Sequence, residues 1–274
     1  MDGGRGKGRG FWQKSPAFPP RKTPMEWNEQ ALVLRMGPFR ETDIWLRLLC
    51  RKRGMLTVFA FGGSRSRRRF CGCLDIWNTL RCRVRSSRDG RFLNLEEATL
   101  QSGPRRLRTD WRRMGLAANC LRFAEALGTG EETAPEVFAL LEDLRDTLDE
   151  AEDLPSLLPL FFRLRLAGAL GFAPSLEACG RCGGALGEGG LFALDEGMVL
   201  CAQCRAARQE IGRYGVVVPR GGLDLLRFVQ QEFPSRWPVA EPPAEVRRAC
   251  ARAIDGFVQY HLGLAWEGNH FRRV

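Results

Sequence analysis

The segment LRCRVR, residues 80–85, decides how the first half of the chain folds. Apolar and basic residues alternate in it with a period of two, which is the period of a β-strand. The three apolar residues share a face that packs in a core, and Arg81, Arg83 and Arg85 line the opposite face as a positive stripe. The segment is therefore predicted to be a strand with one buried face and one basic face.

Neighbouring segments have the same strand-like character and are separated by Gly-Pro, Arg-Gly, Gly-Gly and Asp-Gly turn signals. The five predicted strands are residues 31–35, 44–50, 55–61, 74–85 and 92–98. Five short strands within roughly 70 residues predict a small closed barrel.

The second half of the chain follows the period of helices instead. A first helix is predicted after a cap at Thr109 or Asp110, and a second and third begin at Pro135 and Pro155. Two more are predicted within residues 223–233 and 246–264. The apolar face of the first helix is predicted to consist of Trp111, Met114, Ala118, Leu121 and Ala124. This half is therefore expected to be a helical bundle that is interrupted once, between residues 179 and 204.

The charge of the chain is large and unevenly distributed. Lys and Arg number 42 against 32 Asp and Glu, a net charge of +10, and Arg supplies 38 of the 42. Residues 1–120 carry 26 basic and 10 acidic side chains, a net +16, whereas residues 121–274 carry 16 and 22, a net −6. A high-GC genome would favour Arg over Lys but would not produce this asymmetry. A basic half concentrates polyanions such as nucleic acid, and the guanidinium fork suits phosphate.

The sequence predicts no membrane-spanning segment. Its longest runs without Asp, Glu, Lys or Arg are 11 residues, whereas a bilayer crossing needs about 20 apolar residues. Residues 1–24 contain Gly, Pro and basic side chains without the apolar core of a secretory signal. We interpret them as a disordered basic tail, with Met25 as a candidate for the natural start.

Four of the ten cysteines form two CxxC motifs, at Cys179 and Cys182 and at Cys201 and Cys204. Without a signal peptide a reducing compartment is expected, where such pairs are more often metal ligands than disulfides. Two residues between thiolates allow a tight turn to point both sulfurs at one ion, and two such turns complete a closed S₄ site. The four cysteines are therefore predicted to bind a structural Zn²⁺. The alternatives are a metal site that is only partly occupied, and a redox-active pair or a disulfide.

Residues 62–70, GGSRSRRRF, combine two glycines with four arginines directly after an apolar strand. A Gly-rich loop exposes backbone N–H groups and brings arginines close to phosphates, and Phe61 or Phe70 could stack on bases or pack. A solvated surface loop is the alternative. The predicted nucleic-acid contacts are Arg35, Arg40, Arg51, Lys52, Arg53, Arg65, Arg67, Arg68, Arg69, Arg81, Arg83 and Arg85.

A search for catalytic machinery finds no nucleotide-binding, metalloprotease or nucleophile-elbow motif. Only His261 and His270 are available to a histidine-based triad, and His261 falls on the apolar side of the last predicted helix. The acidic segment 131–153 is interpreted as the solvated face of a helix pair, with a protein-docking surface as the alternative. No catalytic residue is predicted.

Taken in order, several short motifs resemble the bacterial RecO family of recombination and repair mediators. They are ALVLR at 31–35, FRETD at 39–43, GML at 54–56, AFGGSRSRRRFCG at 60–72, LGFAP at 170–174 and YHLG at 260–263. The resemblance covers residues 25–274 and lies in the order and spacing of the motifs. The basic loop departs from the family in having only Arg where a Lys is usual, and some relatives lack the full set of cysteines.

The resemblance implies an α+β fold: an N-terminal five-stranded OB-fold β-barrel followed by an α-helical domain with an inserted CxxC/CxxC zinc module. The implied boundaries are 25–104 for the nucleic-acid-binding barrel, 105–178 and 205–274 for the helical domain, and 179–204 for the zinc insertion.

The resemblance also implies a non-catalytic mediator of the RecF pathway in the cytoplasm, associated with the nucleoid. Such a protein binds single- and double-stranded DNA, anneals complementary strands, contacts the tail of single-stranded DNA-binding protein, and with RecR helps RecA load. Candidates for holding the acidic tail are Arg122, Arg163 and Arg165, although residues two apart on a helix cannot face one groove. The alternatives are a generic OB and zinc-ribbon protein binding RNA or DNA, and a nuclease or strand-transfer enzyme with a dispersed acidic site.

Overall fold

A closed five-stranded barrel forms the first half of the protein, in a computed structural model that describes residues 24–207 and 215–274. Its strands are β1 (Glu26–Pro38), β2 (Ile44–Cys50), β3 (Gly54–Ala60), β4 (Thr79–Ser86) and β5 (Leu93–Ser102). They are ordered β1-β2-β3-β5-β4, β4 pairs back with β1, and only the β3–β5 pairing is parallel. The predicted OB-fold barrel is confirmed. The tail predicted over residues 1–24 lies outside the described residues, apart from Pro24.

The alternation in segment 80–85 is found in β4, where the apolar residues are buried inside the barrel and the three arginines are exposed. The predicted strand starts at residue 74, whereas the observed strand starts at Thr79. The difference arises because the chain before Thr79 forms a turn at residues 76–77. Beside this turn, the Asn78 side-chain amide donates a hydrogen bond to the carbonyl oxygen of Cys73 (2.7 Å).

Six helices follow in the described part of the second half. They are α1 (Trp111–Leu127), α2 (Ala134–Glu150), α3 (Leu158–Ala169), α4 (Ala202–Ala206), α5 (Arg220–Gln231) and α6 (Ala244–Leu262). The Asp110 carboxylate caps α1 by accepting from the backbone N–H groups of Arg112 and Arg113, and Pro135 lies in the first turn of α2. None of the described helices combines the length and apolar composition needed to cross a bilayer.

The apolar face predicted for α1 is wrong in its first turn. Trp111 and Met114 are exposed, by 76% and 45%, and the buried residue there is Arg113. Its guanidinium donates to the carbonyl oxygens of Leu148, Ala151 and Glu152, where α2 ends. A buried arginine is stable in this position because it satisfies carbonyls that have no partner within the helix.

Five short strands accompany these helices. The prediction of a helical bundle with one interruption did not include them. They are β6 (Gly189–Ala193), β7 (Met198–Leu200), β8 (Gly215–Pro219), β9 (Leu264–Glu267) and β10 (His270–Arg273). The first three form a sheet in the order β7-β6-β8, and the last two form a C-terminal hairpin. The last helix ends before Leu264, not at it, because Gly263 adopts a left-handed conformation (φ 60°) and turns the chain into β9.

The barrel and the helices share a core. The barrel interior is filled by its own apolar residues, whereas Leu32, Leu49 and Met55 on its outer face pack with the helices. At the β2–β3 turn the Met55 N–H donates to the Thr129 carbonyl oxygen (3.0 Å). Gly54 has a φ of +70°, and a Cβ there would lie 2.2 Å from the same oxygen. This contact therefore requires glycine and fixes one end of the barrel against the helices.

Candidate nucleic-acid interface and metal centre

The Arg-rich segment 62–70 lies at the end of β3 and is held against the β1–β2 loop. The Gly62 N–H donates to the Asp43 carboxylate (2.7 Å), and the Ser64 N–H donates to the Thr42 carbonyl oxygen (3.1 Å). Gly62 has a φ of +65°, which suits a residue without a side chain. The two loops therefore form one surface at the end of the barrel.

Three of the four arginines in this segment are free to bind an anion. Arg65, Arg67 and Arg68 are exposed and have no ion pair or hydrogen bond from their guanidinium groups to any residue of the described chain. Arg69 is half-buried and instead donates to the Phe61 carbonyl oxygen. Phe70 is buried in the barrel interior, so the suggestion that it stacks on bases is wrong. Phe61 is exposed.

A row of polar side chains crosses the outer face of β1, β2 and β3. Arg35, Arg47 and Thr57 are opposite one another on the three strands, and opposite residues share a face. The Arg47 guanidinium donates to the Thr57 hydroxyl (2.9 Å). Sequence reasoning missed Arg47 because it considered charge clusters and not the register between strands.

The next row on this face is aromatic. Gly37, Trp45 and Phe59 are opposite one another, and the lack of a side chain at Gly37 makes room for the Trp45 ring, since a Cβ would lie 2.7 Å from Nε1. The Arg35 guanidinium lies 5.7 Å from the centre of the Trp45 ring, and that of Arg40 lies 5.3 Å from the Phe39 ring. The predicted contacts Arg35 and Arg40 are therefore exposed beside aromatic rings.

The basic turn Arg51, Lys52 and Arg53 is not brought to this surface. It joins β2 to β3, at the end of these strands that lies away from the β1–β2 loop. The seven residues of β2 separate the turn from that loop by about 20 Å. Arg51 donates to the Gln30 side chain (3.1 Å), and the Arg53 guanidinium lies 4.6 Å from the Trp27 ring centre.

The basic stripe of β4 lies on another side of the barrel. This side is formed by β4 and its two neighbours, β1 and β5. Arg81, Arg83 and Arg85 are exposed there, but Arg83 forms ion pairs with Glu26 (3.5 Å) and Glu97 (3.3 Å). The stripe is therefore partly neutralised, in contrast to the loop arginines.

Glu125 of α1 introduces a carboxylate beside the polar row. Burial raises the pKa of this group above its usual value, although the positive charges of Arg35, Arg47 and Arg122 favour its ionised form. At neutral pH an ionised Glu125 would reduce the positive potential of the row where the barrel meets the helices.

The four cysteines of the two CxxC motifs converge. Cys179 and Cys182 precede β6, and Cys201 and Cys204 follow β7, so that the β6–β7 hairpin joins the two pairs. Their sulfur atoms all lie within 4.8 Å of one another, and those of Cys182 and Cys201 are 3.8 Å apart. A tetrahedral ion with metal–sulfur bonds of about 2.3 Å requires sulfur separations of about 3.8 Å. The geometry therefore fits one four-coordinate metal ion.

The electrostatics of the cluster favour a thiolate at Cys179, whereas a hydrogen bond with the Cys182 thiol raises the pKa of Cys204 to about 12. Burial raises the pKa of the Cys179 thiol, but hydrogen bonds from backbone groups of Cys201, Cys182 and Arg181 outweigh it and lower the pKa to about 6. Thiolates are the form that binds metal.

Two of the three arginines suggested to hold an acidic tail are unavailable. Arg163 and Arg165 are buried and pair with different acids, Asp255 (2.5 Å) and Glu136 (2.9 Å). Arg163 therefore joins α3 to α6, and Arg165 joins α3 to α2. The two side chains leave α3 in different directions, as expected for residues two apart on a helix. Arg122 is exposed, and its guanidinium donates to the Asn269 carbonyl oxygen in the β9–β10 turn.

Comparison with known proteins gives a consistent match over nearly the whole chain. The family described as Recombination protein O N terminal matches residues 25–103, and Recombination protein O C terminal matches residues 108–269. A DNA repair protein RecO of Nitratidesulfovibrio vulgaris is 49% identical over 255 residues, 91% of this chain and 100% of the relative. The RecO protein of Lawsonia intracellularis is 39% identical, over 91% of this chain and 100% of the relative. That of Myxococcus xanthus is 32% identical, over 86% of this chain and 93% of the relative.

Proposed function

The chain belongs to the RecO family of DNA repair proteins, and on that premise we propose that it is a recombination mediator of the RecF pathway. It binds single- and double-stranded DNA through its barrel, anneals complementary strands, and helps RecA load on strands coated by single-stranded DNA-binding protein.

The observation that carries this proposal is the set of three unpaired arginines, Arg65, Arg67 and Arg68, beside the polar and aromatic rows of the barrel. Unpaired cations release counterions from DNA when they bind phosphate, and this supplies affinity without reading sequence. A protein that brings two strands together must also reduce the repulsion between their phosphates. An exposed basic surface does so without any chemical step, and this supports a non-catalytic role.

We assign Zn²⁺ to the four-cysteine cluster, in a structural role. All four ligand positions belong to the protein, which leaves none for a water or substrate. Held in this way, the ion would join the turn before β6 to the start of α4.

The proposed partners are RecR and single-stranded DNA-binding protein, and the proposed location is the cytoplasm, at the nucleoid. An acidic tail needs a basic groove with an apolar lining, and Arg122 is the one earlier candidate that remains exposed. The proposed division assigns DNA binding to residues 25–104, the helical domain to 105–178 and 205–274, and the metal insertion to 179–204.

The direct test replaces Arg65, Arg67 and Arg68 together by serine and measures binding to fluorescent single-stranded DNA across a salt series. Each lost phosphate contact removes about 0.7 from the slope of log affinity against log salt, so the slope should fall by about 2. The matched control replaces Arg236, Arg248 and Arg252, which are exposed in the helical half, by serine. Unchanged affinity and slope in the loop variant would contradict the assignment. Equal or tighter binding to RNA of the same sequence would favour the generic nucleic-acid-binding protein.

A further inference from the structure

Three phenylalanines from separate elements meet on the outer face of the barrel. Phe39 lies in the β1–β2 loop, Phe59 in β3, and Phe92 in the β4–β5 loop. The Phe59 ring centre lies 4.7 Å from that of Phe39 and 5.7 Å from that of Phe92. Phe59 is 8% exposed, whereas Phe39 and Phe92 are 41% and 52% exposed. We call these three residues the phenylalanine platform.

The folding of the barrel does not require the two outer rings to be aromatic. The barrel interior is filled by other residues, and neither Phe39 nor Phe92 belongs to a buried apolar cluster. Holding two large apolar rings in water side by side costs free energy, and exposed apolar patches rimmed by polar groups mark binding sites. The platform therefore has the character of a site for a flat, apolar ligand surface.

The backbone holds both outer rings in fixed loops. The Phe39 N–H donates to the Asp43 carbonyl oxygen (2.9 Å), and Asp43 is itself fixed by Gly62. The Phe92 N–H donates to the Ser87 hydroxyl (3.1 Å), and the Ser87 N–H donates to the Phe92 carbonyl oxygen (2.8 Å). The loops that carry the two exposed rings are therefore ordered, so little backbone entropy is lost when a ligand stacks on the rings.

Cations surround the platform. Arg40 lies against the Phe39 ring, the Arg segment 62–70 is hydrogen-bonded to the same loop, and Arg91 precedes Phe92. Arg91 pairs with Asp89 (3.5 Å), but both side chains are largely exposed, so water and salt screen this pair. Aromatic faces within a rim of arginines match the alternation of bases and phosphates in an unpaired strand.

We propose that Phe39 and Phe92 stack on unpaired bases, and that this platform gives the barrel its preference for single strands over duplex. This inference rests on the proposed function, and it specifies that this face of the barrel recognises the bases of the DNA. Bases of a duplex are stacked on one another, and an aromatic side chain reaches their faces only after they unstack. Arginines bind the phosphates of either form, whereas the platform binds only a strand whose bases are free.

The test compares oligothymidylate, an abasic strand with the same number of phosphates, and a duplex of that length. The variants are Phe39→Ala with Phe92→Ala, and Phe39→Leu with Phe92→Leu, which keeps apolar cover over Phe59 but removes the stacking surface. The control is Phe172→Ala with Phe228→Ala, two exposed phenylalanines of the helical half. Thermal melting shows that each variant is folded.

The wild-type protein should bind oligothymidylate more tightly than the abasic strand. Both platform variants should lose about tenfold or more in affinity for oligothymidylate, with the abasic strand, the duplex and the salt slope unchanged. The inference is overturned if the platform variants keep the wild-type preference for base-bearing strands, or if the control variant loses it equally. A wild-type protein that binds none of the three ligands would overturn the proposed function, and the platform with it.

Discussion

At the scale of single residues, Arg145 shows how a charge can hold the barrel to the helices. It is 4% exposed, and its guanidinium donates to the Thr79 hydroxyl of β4 (2.6 Å) and to the Asp146 carboxylate (2.8 Å). The Thr79 hydroxyl donates in turn to the Glu142 carboxylate (2.9 Å). Arg145 therefore joins β4 to α2 through a hydrogen-bonded network.

Replacement of Arg145 by methionine should destabilise the protein by about 1–3 kcal/mol, because the Thr79 hydroxyl oxygen and the Asp146 carboxylate lose their donor. Urea denaturation followed by circular dichroism measures this change. Arg236→Met is the control, since Arg236 is exposed and its one ion pair within the described residues is with Glu232 (3.3 Å). A loss of stability no larger than in the control would show that the network does not hold the barrel to the helices.

Glu125 makes a prediction about pH. Burial raises its pKa in the folded state, although Arg35, Arg47 and Arg122 partly oppose the shift. The folded protein therefore holds this proton more tightly than the unfolded chain does. Its contribution to stability is fully present below the unfolded pKa and declines as pH rises from there through the folded pKa.

Glu125→Gln cannot ionise and should remove this decline. The melting temperature of the variant relative to wild type should therefore increase between about pH 4 and pH 7. Calorimetry at a series of pH values, with exposed Glu131→Gln as control, measures the difference. A difference that stays constant or decreases as pH rises would contradict the raised pKa.

At the scale of elements, the four-cysteine cluster brings together the segments before and after the β6–β7 hairpin, and the proposed ion would hold them there. Chelation with EDTA in the presence of a thiol reductant should lower the melting temperature by about 5–15 °C, because the ion binds the folded state. Cys182→Ser should do the same, and Cys71→Ser, an exposed cysteine outside the cluster, should not. DNA binding below the lowered melting temperature should persist. Unchanged melting after chelation would contradict a structural metal.

The sequence predicts an element well where its own period or spacing determines the structure. The alternation in β4 and the spacing of the cysteines are local patterns, and the structure shows a one-sided basic strand and a converged cluster. The exposure of Trp111 was not predictable in this way, because Arg113 occupies the buried position to reach carbonyls of α2, which lies elsewhere in the sequence.

The phenylalanine platform and Arg47 illustrate the same limit at the site. Phe39, Phe59 and Phe92 come from three elements with no common period, and Arg47 lies beside Arg35 only through the β1–β2 register. The signal that could have indicated the two exposed rings is an aromatic residue next to an arginine in or beside a predicted turn. Phe39 precedes Arg40 between two predicted strands, and Phe92 follows Arg91 at the start of a predicted strand.

At the scale of the whole molecule, the charges are distributed unevenly along the chain. The basic excess belongs to residues 1–120, a net +16, and the acidic excess to residues 121–274, a net −6. Within the described chain, the contacts of Arg145 and Gly54 join the barrel to the helices at the end opposite the Arg loop. The DNA-binding face proposed above is therefore left open.

We propose that this protein brings complementary strands together because its arginines bind the DNA phosphates, while it contacts the protein that coats the strands. The most direct measurement is annealing of complementary oligonucleotides coated with the cognate single-stranded DNA-binding protein, with and without this protein, across a salt series and without nucleotide. We expect this protein to accelerate annealing, and the acceleration should decrease as salt rises, because counterion release then contributes less to binding. No acceleration, with uncoated DNA still bound, would contradict the mediator and leave a barrel that only binds nucleic acid.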